Sequence, residues 1–375
     1  MTDTHETVRA RTAAFVRDHL NPYVPEWEAV GAMPLREIVA GFAAAGLSGV
    51  SRAPDVGGDG LDFSHAMVVA EALGDTDCGA VQMALGVHAV FALGALERFG
   101  TPVLRQRHLA PAIRGELVAS LAITEREAGS DVAAIRTTAR RSSSGWILDG
   151  EKAWVANATQ ADFAVVLAVS APGERRNAHS LFVVPLDLPG VTRSAPERTL
   201  GMHAAECCTL RFDGVRIPRD HLIGEEGHGF RHQMSSFDEE RLWAAANTLR
   251  TLERCIERTV EHVRGRIAFG RPLFDQQSVQ FRLAELATEV AALRALTFSA
   301  GARHVAGGMV TQQAAMAKLK AGRLMREVAD SCLQYWGGEG YRWDNPVSRL
   351  YRDGRLASIG GGADEVMLTL IARQL

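Results

Sequence analysis

Leu117-Val118-Ala119-Ser120-Leu121-Ala122-Ile123 is where the chain changes period. Upstream the pattern is helical: Val8, Phe15, Val16 and Leu20 recur at helix spacing, and Pro34 opens a helix carrying Ile38, Val39 and Phe42 to Gly46. Residues 61–73 and 80–99 continue in the same way, and Pro102 starts another helix. Downstream, short apolar and β-branched runs at 145–148, 163–170, 180–186 and 208–216 are separated by clusters of Gly, Pro, Asp and Ser, which predicts a small, mainly β unit. From Gly229 the helices return and are long. Leu249, Leu252, Ile256, Val260 and Val263 form one apolar stripe, and Arg250, Glu253, Arg254, Glu257, Arg258 and Glu261 cover the other side in pairs three apart. Further helices are expected over 276–305, 311–335 and 364–373. The order helices, sheet, helices predicts an α+β protein of three units, 1–117, 118–226 and 227–375. It argues against a doubly wound α/β fold, whose strands and helices alternate. Neither G-x-G-x-x-G nor G-x-x-x-x-G-K-[ST] occurs, so nicotinamide binding of the Rossmann type and P-loop chemistry are disfavoured.

At 375 residues the chain is long enough to bury roughly 75% of its unfolded surface without staples. A formal net charge of -3 provides no basic field for a polyanion, which removes nucleic acid as the main partner. Of 41 basic residues only Lys152, Lys318 and Lys320 are lysines, a skew uniform enough to reflect coding bias. The five cysteines, Cys78, Cys207, Cys208, Cys255 and Cys332, show no C-x-x-C or metal-finger spacing and read as reduced residues of a cytoplasmic protein with no metal site. The first residues are polar with no apolar signal core behind them, so export is not expected. Residues 78–96 carry no charge over about 19 positions, long enough to span a bilayer. Gln82 and His88 interrupt that run and Gly79, Gly86 and Gly94 suit close packing, so a buried core helix is expected and no membrane span.

Two segments carry the first chemical signal. Ala122-Ile123-Thr124-Glu125-Arg126-Glu127-Ala128-Gly129-Ser130-Asp131 ends a strand with small residues and hydroxyls, which lets backbone approach a planar or phosphorylated ligand with Thr124 and Ser130 as donors. Gly150-Glu151-Lys152-Ala153-Trp154-Val155-Ala156-Asn157 sets a lone tryptophan in a strand. With Asp213-Gly214-Val215-Arg216-Ile217-Pro218, Gly224-Glu225-Glu226-Gly227, Arg266-Ile267-Ala268-Phe269-Gly270-Arg271-Pro272-Leu273, Gln334-Tyr335-Trp336-Gly337-Gly338-Glu339-Gly340-Tyr341 and Arg352-Asp353, they resemble the acyl-CoA dehydrogenase family over nearly the whole chain and in the right order. Residues 159–162 and 331–365 look closest to its isovaleryl-CoA and citronellyl-CoA types.

The resemblance implies an N-terminal helical domain, a central β-barrel-like domain and a C-terminal four-helix-bundle domain, assembled as a homotetramer, with a dimer as the alternative. It implies FAD as cofactor and dehydrogenation of an acyl-CoA or acyl-carrier-protein thioester, of branched or substituted chain, to the 2,3-enoyl product. Electrons would pass to an electron-transfer flavoprotein or similar acceptor. Carried over residue by residue, Ile123 and Thr124 lie against the flavin edge, Gly129 and Ser130 approach the ribityl and pyrophosphate region, and Trp154 flanks the ring. Ser130 also reaches toward substrate. Arg266, Phe269 and Gln277 would serve the FAD of a neighbouring subunit, and Gln334, Gly337 and Gly338 its adenosine half. Ala156 stands where the family usually has a hydroxyl donating to flavin N5, and Ala363, which with Glu365 falls among the implied FAD contacts, replaces a customary Thr on the adenosine side. One such lost hydrogen bond costs about 0.5–1.5 kcal/mol, too little to abolish tight binding.

The family's usual base, a Glu near the C-terminus, is replaced here by Gly361, whose backbone N–H still suits the thioester oxygen. A minority of members place the Glu on a helix just before an Arg, matching Phe237-Asp238-Glu239-Glu240-Arg241. Glu240 is therefore the expected base, sharing a helix face with Phe237, Ala244, Asn247 and Thr248 while Glu239 points elsewhere. A carboxylate there would have its pKa raised by desolvation. Phe237, Asp238 and Arg241 match positions that organise the substrate side; Asp364 and Glu365 are fallback bases expected to cap the last helix. Two rival readings stand beside this one: an acyl-CoA oxidase-like enzyme using oxygen, and a non-catalytic acyl-thioester-binding scaffold.

Overall fold

The computed structural model describes residues 2–171 and 178–375. Helices fill the first third: α1 (Asp3–Phe15), α2 (Val24–Val30), α3 (Leu35–Ala44), α4 (Phe63–Leu73), α5 (Gly79–Gly86), α6 (Leu93–Phe99), α7 (Pro102–Leu104) and α8 (Ala110–Ile113). The stripe Val8, Phe15, Val16 and Leu20 is buried in one core with Ile38, Val39 and Phe42 of α3. The sequence pattern does not reveal α2, which buries only Val24 and Trp27 and ends at Gly31 with φ +75°, too short a helix to display a period. A π-helical turn, Val87–Phe91, joins α5 to α6 into one run, Gly79–Phe99. That run is long and apolar enough to cross a membrane, yet 78% of its apolar window is buried inside the protein. Its apolar character on all sides follows from its neighbours: strands on one flank, helices on the others.

The sheet comprises β1 (Ala119–Ala122), β2 (Thr138–Ser142), β3 (Gly145–Ala156), β4 (Phe163–Val169), β5 (His179–Pro185), β6 (Val191–Arg193), β7 (Cys207–Pro218) and β8 (Leu222–Ile223). Strand order is β6-β7-β3-β2-β4-β5-β8, with β1 pairing parallel to β4. The expected short strand at 145–148 and the tryptophan segment are one long strand, β3, interrupted twice by register shifts. The first shift is at Gly150, φ +141°, where a Cβ would come within 2.7 Å of the Thr137 backbone. The second precedes Val155 and sets Trp154 at φ +52°, turning its indole off the regular alternation.

The C-terminal third holds α9 (Gly229–Gly265), α10 (Gln277–Val305), α11 (Thr311–Gly340), α12 (Pro346–Gly354) and α13 (Asp364–Ala372). Leu249, Leu252, Ile256 and Val263 of α9 pack with Leu286 and Val290 of α10 and Leu324 and Val328 of α11. Regular geometry in α11 breaks at Gly337, φ +58°, close to the expected end. The charged side of α9 is not the solvated face its pairing suggests. Arg250 keeps Glu253 at 3.6 Å, but it also meets Asp75 at 2.8 Å, Arg254 meets Asp77 at 2.7 Å, and Arg258 meets Asp77 at 2.8 Å. The arginines thereby bind α9 to the end of α4, and α9 lies against both α4 and β5.

Candidate active site

A cavity of ≈ 740 Å³ lies between the sheet, the α5–α6 run, α9 from Met234 to Arg258, α12 and the loop at 360–362. Its sheet wall is the segment that opens the β unit. Ile123, Thr124, Gly129, Ser130, Trp154 and Ala156 all border it. What fixes this wall is Lys152, 0% exposed, whose ammonium donates to the Ile123 carbonyl at 2.8 Å and to Glu125 Oε1 at 2.9 Å. Glu125 also accepts from the backbone N–H of Arg136 (2.7 Å) and Thr137 (2.9 Å) and from the Thr137 hydroxyl (2.6 Å). Burial pushes the Glu125 carboxyl up, but these donors outweigh it and hold it below its ordinary value. Burial lowers Lys152 to about 8, against the pull of Glu125, so the pair is ionised at neutral pH.

The same wall offers a flat bed. A Cβ at Gly129 would meet only Thr124 Cγ2, at 3.8 Å. Trp154 is 49% exposed, unusual for an indole inside a strand, and the Arg126 guanidinium sits 5.8 Å from its ring. Ala156 borders the cavity with a methyl and cannot donate; its carbonyl accepts from Ser120 Oγ at 2.6 Å. An open glycine, two hydroxyls and a bare aromatic face suit a planar, phosphate-bearing group such as FAD.

The helical wall carries the ionisable chemistry. Phe237, Glu240, Arg241, Ala244, Asn247 and Thr248 all border the cavity, as expected of one α9 face. Glu240 is 8% exposed, and burial pushes its carboxyl up to about 8, with Arg241 and Arg98 pulling down and Glu239 adding to the rise. Its Oε1 accepts from Gln233 Nε2 at 2.9 Å. Glu239 turns away to His304 Nε2 at 2.9 Å and to Arg98. Burial raises Glu239 too, but His304 and Arg98 outweigh it and hold it below its ordinary value. Asp238 does not border the cavity; it accepts from Arg241 Nη1 at 3.1 Å and from the Thr311 hydroxyl at 2.7 Å, fixing Arg241 over the Phe237 ring.

Gly360, Gly361 and Gly362 close the cavity at its C-terminal side. Gly361 has φ +64° and open space where a Cβ would be. Lys318 on α11 donates to the Gly362 carbonyl, and burial lowers it to about 8. Asp364 pairs with Arg326 at 3.0 Å and Glu365 is exposed, neither of them bordering the cavity. Expected as caps, both lie inside the first turn of α13, where negative charge complements the helix dipole; the capping position is Ala363.

Arg266, Phe269, Gln277, Gln334, Gly337 and Gly338 stand apart from this cavity and are all exposed in the protomer, Phe269 by 96%. Ala363 is also outside the lining. The sequence pattern assigns no role to Lys152, Glu125, Lys318 or Gln233; its one available signal is a lysine inside a strand that otherwise reads as core. Away from the cavity, His5, Asp62 and His65 gather within reach of a single ion. The two imidazoles stack face to face at 3.8 Å and 11°, so their in-plane lone pairs run parallel and do not converge as ligands would.

Comparison with known proteins follows the same three-part division. Residues 2–116, 120–215 and 227–375 match the acyl-CoA dehydrogenase N-terminal, middle and C-terminal domains. The mitochondrial long-chain specific acyl-CoA dehydrogenase of Rattus norvegicus is 34% identical over 373 residues, spanning 99% of this chain and 86% of the relative. The mitochondrial short-chain specific enzyme of Bos taurus is 31% identical over 373 residues, spanning 100% of this chain and 90% of the relative. The crystal structure of acyl-CoA dehydrogenase from Geobacillus kaustophilus superposes with a TM-score of 0.95 at 32% identity, covering 100% of this chain and 98% of that one.

Proposed function

The chain belongs to the acyl-CoA dehydrogenase family of FAD-dependent oxidoreductases, and on that premise we propose that it oxidises an acyl thioester to the 2,3-enoyl thioester with Glu240 as the base. The observation that carries this reading is a deeply buried carboxyl, raised to about 8, on the wall of a large cavity. When bound, FAD supplies the hydride acceptor. Glu240 takes the proton from the carbon beside the thioester carbonyl, and desolvation gives it the basicity that task needs near neutral pH. The Gly361 N–H stabilises the charge that develops on the thioester oxygen. Asp238 and Thr311 hold Arg241 in place beside the base.

Ile123, Thr124, Gly129, Ser130 and Trp154 form the flavin bed of one subunit. Arg266, Phe269, Gln277, Gln334, Gly337 and Gly338 complete the site of another within a homotetramer, a reading supported by their exposure in the protomer. The substrate is an acyl-CoA or acyl-carrier-protein thioester. A branched or substituted chain is supported by Ala244 and Thr248, small side chains that border the cavity with Glu240. Electrons pass to an electron-transfer flavoprotein, and five free cysteines support a reducing, cytoplasmic setting.

Glu240→Gln should retain yellow flavin and acyl-thioester binding while turnover falls about 10²–10⁴-fold or more. Full activity in that variant, or an equal loss in Glu365→Gln, overturns the assignment. Anaerobic flavin bleaching across acyl-CoA and acyl-carrier thioesters identifies the substrate. Hydrogen peroxide yield against dye reduction separates a dehydrogenase from an oxidase.

A further inference from the structure

Gln233 sits on α9 two turns before Glu240, so both side chains project from one side of the helix. It is 2% exposed and does not border the cavity, which places it behind the carboxyl that does. Its Nε2 donates to Glu240 Oε1 at 2.9 Å, the one hydrogen bond Glu240 accepts among the described residues. Its own Oε1 is buried with no partner. An amide buried with half its hydrogen-bonding capacity unused is unfavourable, and an apolar side chain of similar volume would fill the space without that penalty. Packing therefore gives no reason for a glutamine here; its contact with Glu240 does.

Several full charges surround the carboxyl. Arg98 approaches from α6, while Arg241 and Glu239 adjoin it on α9. Beyond them, Arg52 and His304 of α10 act on Glu239, and Lys318 of α11 faces Arg241. None of these cations makes a hydrogen bond to Glu240, so the neutral amide alone fixes its orientation. A donor held against one carboxylate oxygen strengthens when the group ionises and leaves Oε2 to meet the substrate.

We propose that Gln233 is a positioning residue for the base, clamping Glu240 Oε1 so that Oε2 faces the cavity and favouring the ionised carboxylate. This rests on the reading of Glu240 as the base. The test uses the FAD-loaded enzyme with Gln233→Met, close in length but without a donor, and Gln233→Leu, each measured by anaerobic flavin bleaching as a function of pH beside Glu240→Gln.

Both variants should keep their flavin and a KM within about two-fold, with the acidic limb of the rate profile displaced upward by about one pH unit. At pH 7 that displacement appears as an about ten-fold slower rate, largely recovered by pH 9. An unmoved limb beside an inactive Glu240→Gln overturns the role of Gln233 and leaves the base in place. Loss of fold or flavin in both variants makes Gln233 a packing residue and overturns the proposal as well. An active Glu240→Gln removes the base itself, and the proposal with it.

Discussion

On the sheet side of the cavity, Lys152 is fully buried and its ammonium meets the Glu125 carboxylate at 2.9 Å; on the helical side, Glu240 is nearly as deeply buried and accepts only the neutral amide of Gln233. Burial moves both toward about 8 from opposite directions. At neutral pH this leaves Lys152 charged and compensated, holding the Ile123 carbonyl still, whereas Glu240 stands near the point where its proton is lost. One wall carries a buried charge beside its counter-ion, the other a buried carboxyl without one. Both groups are protonated at neutral pH, but protonation makes the lysine a charge that its counter-ion compensates and leaves the carboxyl neutral, so only the carboxyl gains a charge when its proton leaves.

Breaking the compensated pair should have the largest effect on stability. Lys152→Met strands Glu125 without its cation and removes a donor from the Ile123 carbonyl, and breaking a buried pair on one side costs about 3–5 kcal/mol. Denaturant unfolding should show that loss together with weaker flavin retention, since Ile123 and Thr124 border the cavity. A variant as stable as the parent, with flavin fully retained, would erase the contrast between the walls.

The uncompensated carboxyl has the opposite signature. Glu240 has its folded pKa raised above its unfolded value, so between about 4.5 and about 8 the folded state binds more protons and stability falls as pH rises. Glu240→Gln removes this liability. The variant should match the parent near pH 4.5 and exceed it above pH 8 by a few kcal/mol, one pKa unit being worth about 1.4 kcal/mol. Thermal unfolding of the flavin-free protein across that range is the measurement, and a gain of the same size at every pH would mean that Glu240 is not desolvated as its burial requires.

Much of this architecture is legible because burial writes a period into the sequence. The change at 117–123, the α9 stripe from Leu249 to Val263, and the shared face of Phe237, Glu240, Ala244, Asn247 and Thr248 are all periodic, and all are found. Features that escape are those where one residue answers to a distant partner. Strand β2 exposes Arg140 and Arg141 side by side and is absent from the runs that the alternation marks as strands. The continuity of β3 is hidden by Gly150, whose φ of +141° answers to the Thr137 backbone. Arg250, Arg254 and Arg258 read as partners of glutamates on their own helix, yet they reach Asp75 and Asp77, more than 170 positions away in the chain. Lys152 and Gln233 are single polar residues inside apolar elements, and no spacing announces which carbonyl or carboxyl they serve.

The smallest expected effect compares a glycine of the sheet wall with one of the loop that closes the cavity. Gly361 has φ +64° with nothing within 4 Å of the place a Cβ methyl would occupy, so Gly361→Ala meets no clash and costs only left-handed strain, about 1 kcal/mol. Gly129 needs no left-handed backbone, and its added methyl would meet Thr124 Cγ2 at an ordinary 3.8 Å, so Gly129→Ala should leave stability unchanged. That methyl does, however, point into the bed proposed for the flavin. Gly361→Ala should therefore lower Tm by a few degrees while retaining flavin, and Gly129→Ala should hold Tm in the flavin-free protein while weakening flavin binding. The reverse pairing, strain at Gly129 and flavin loss at Gly361, would place the cofactor against the 360–362 loop and not on the sheet wall.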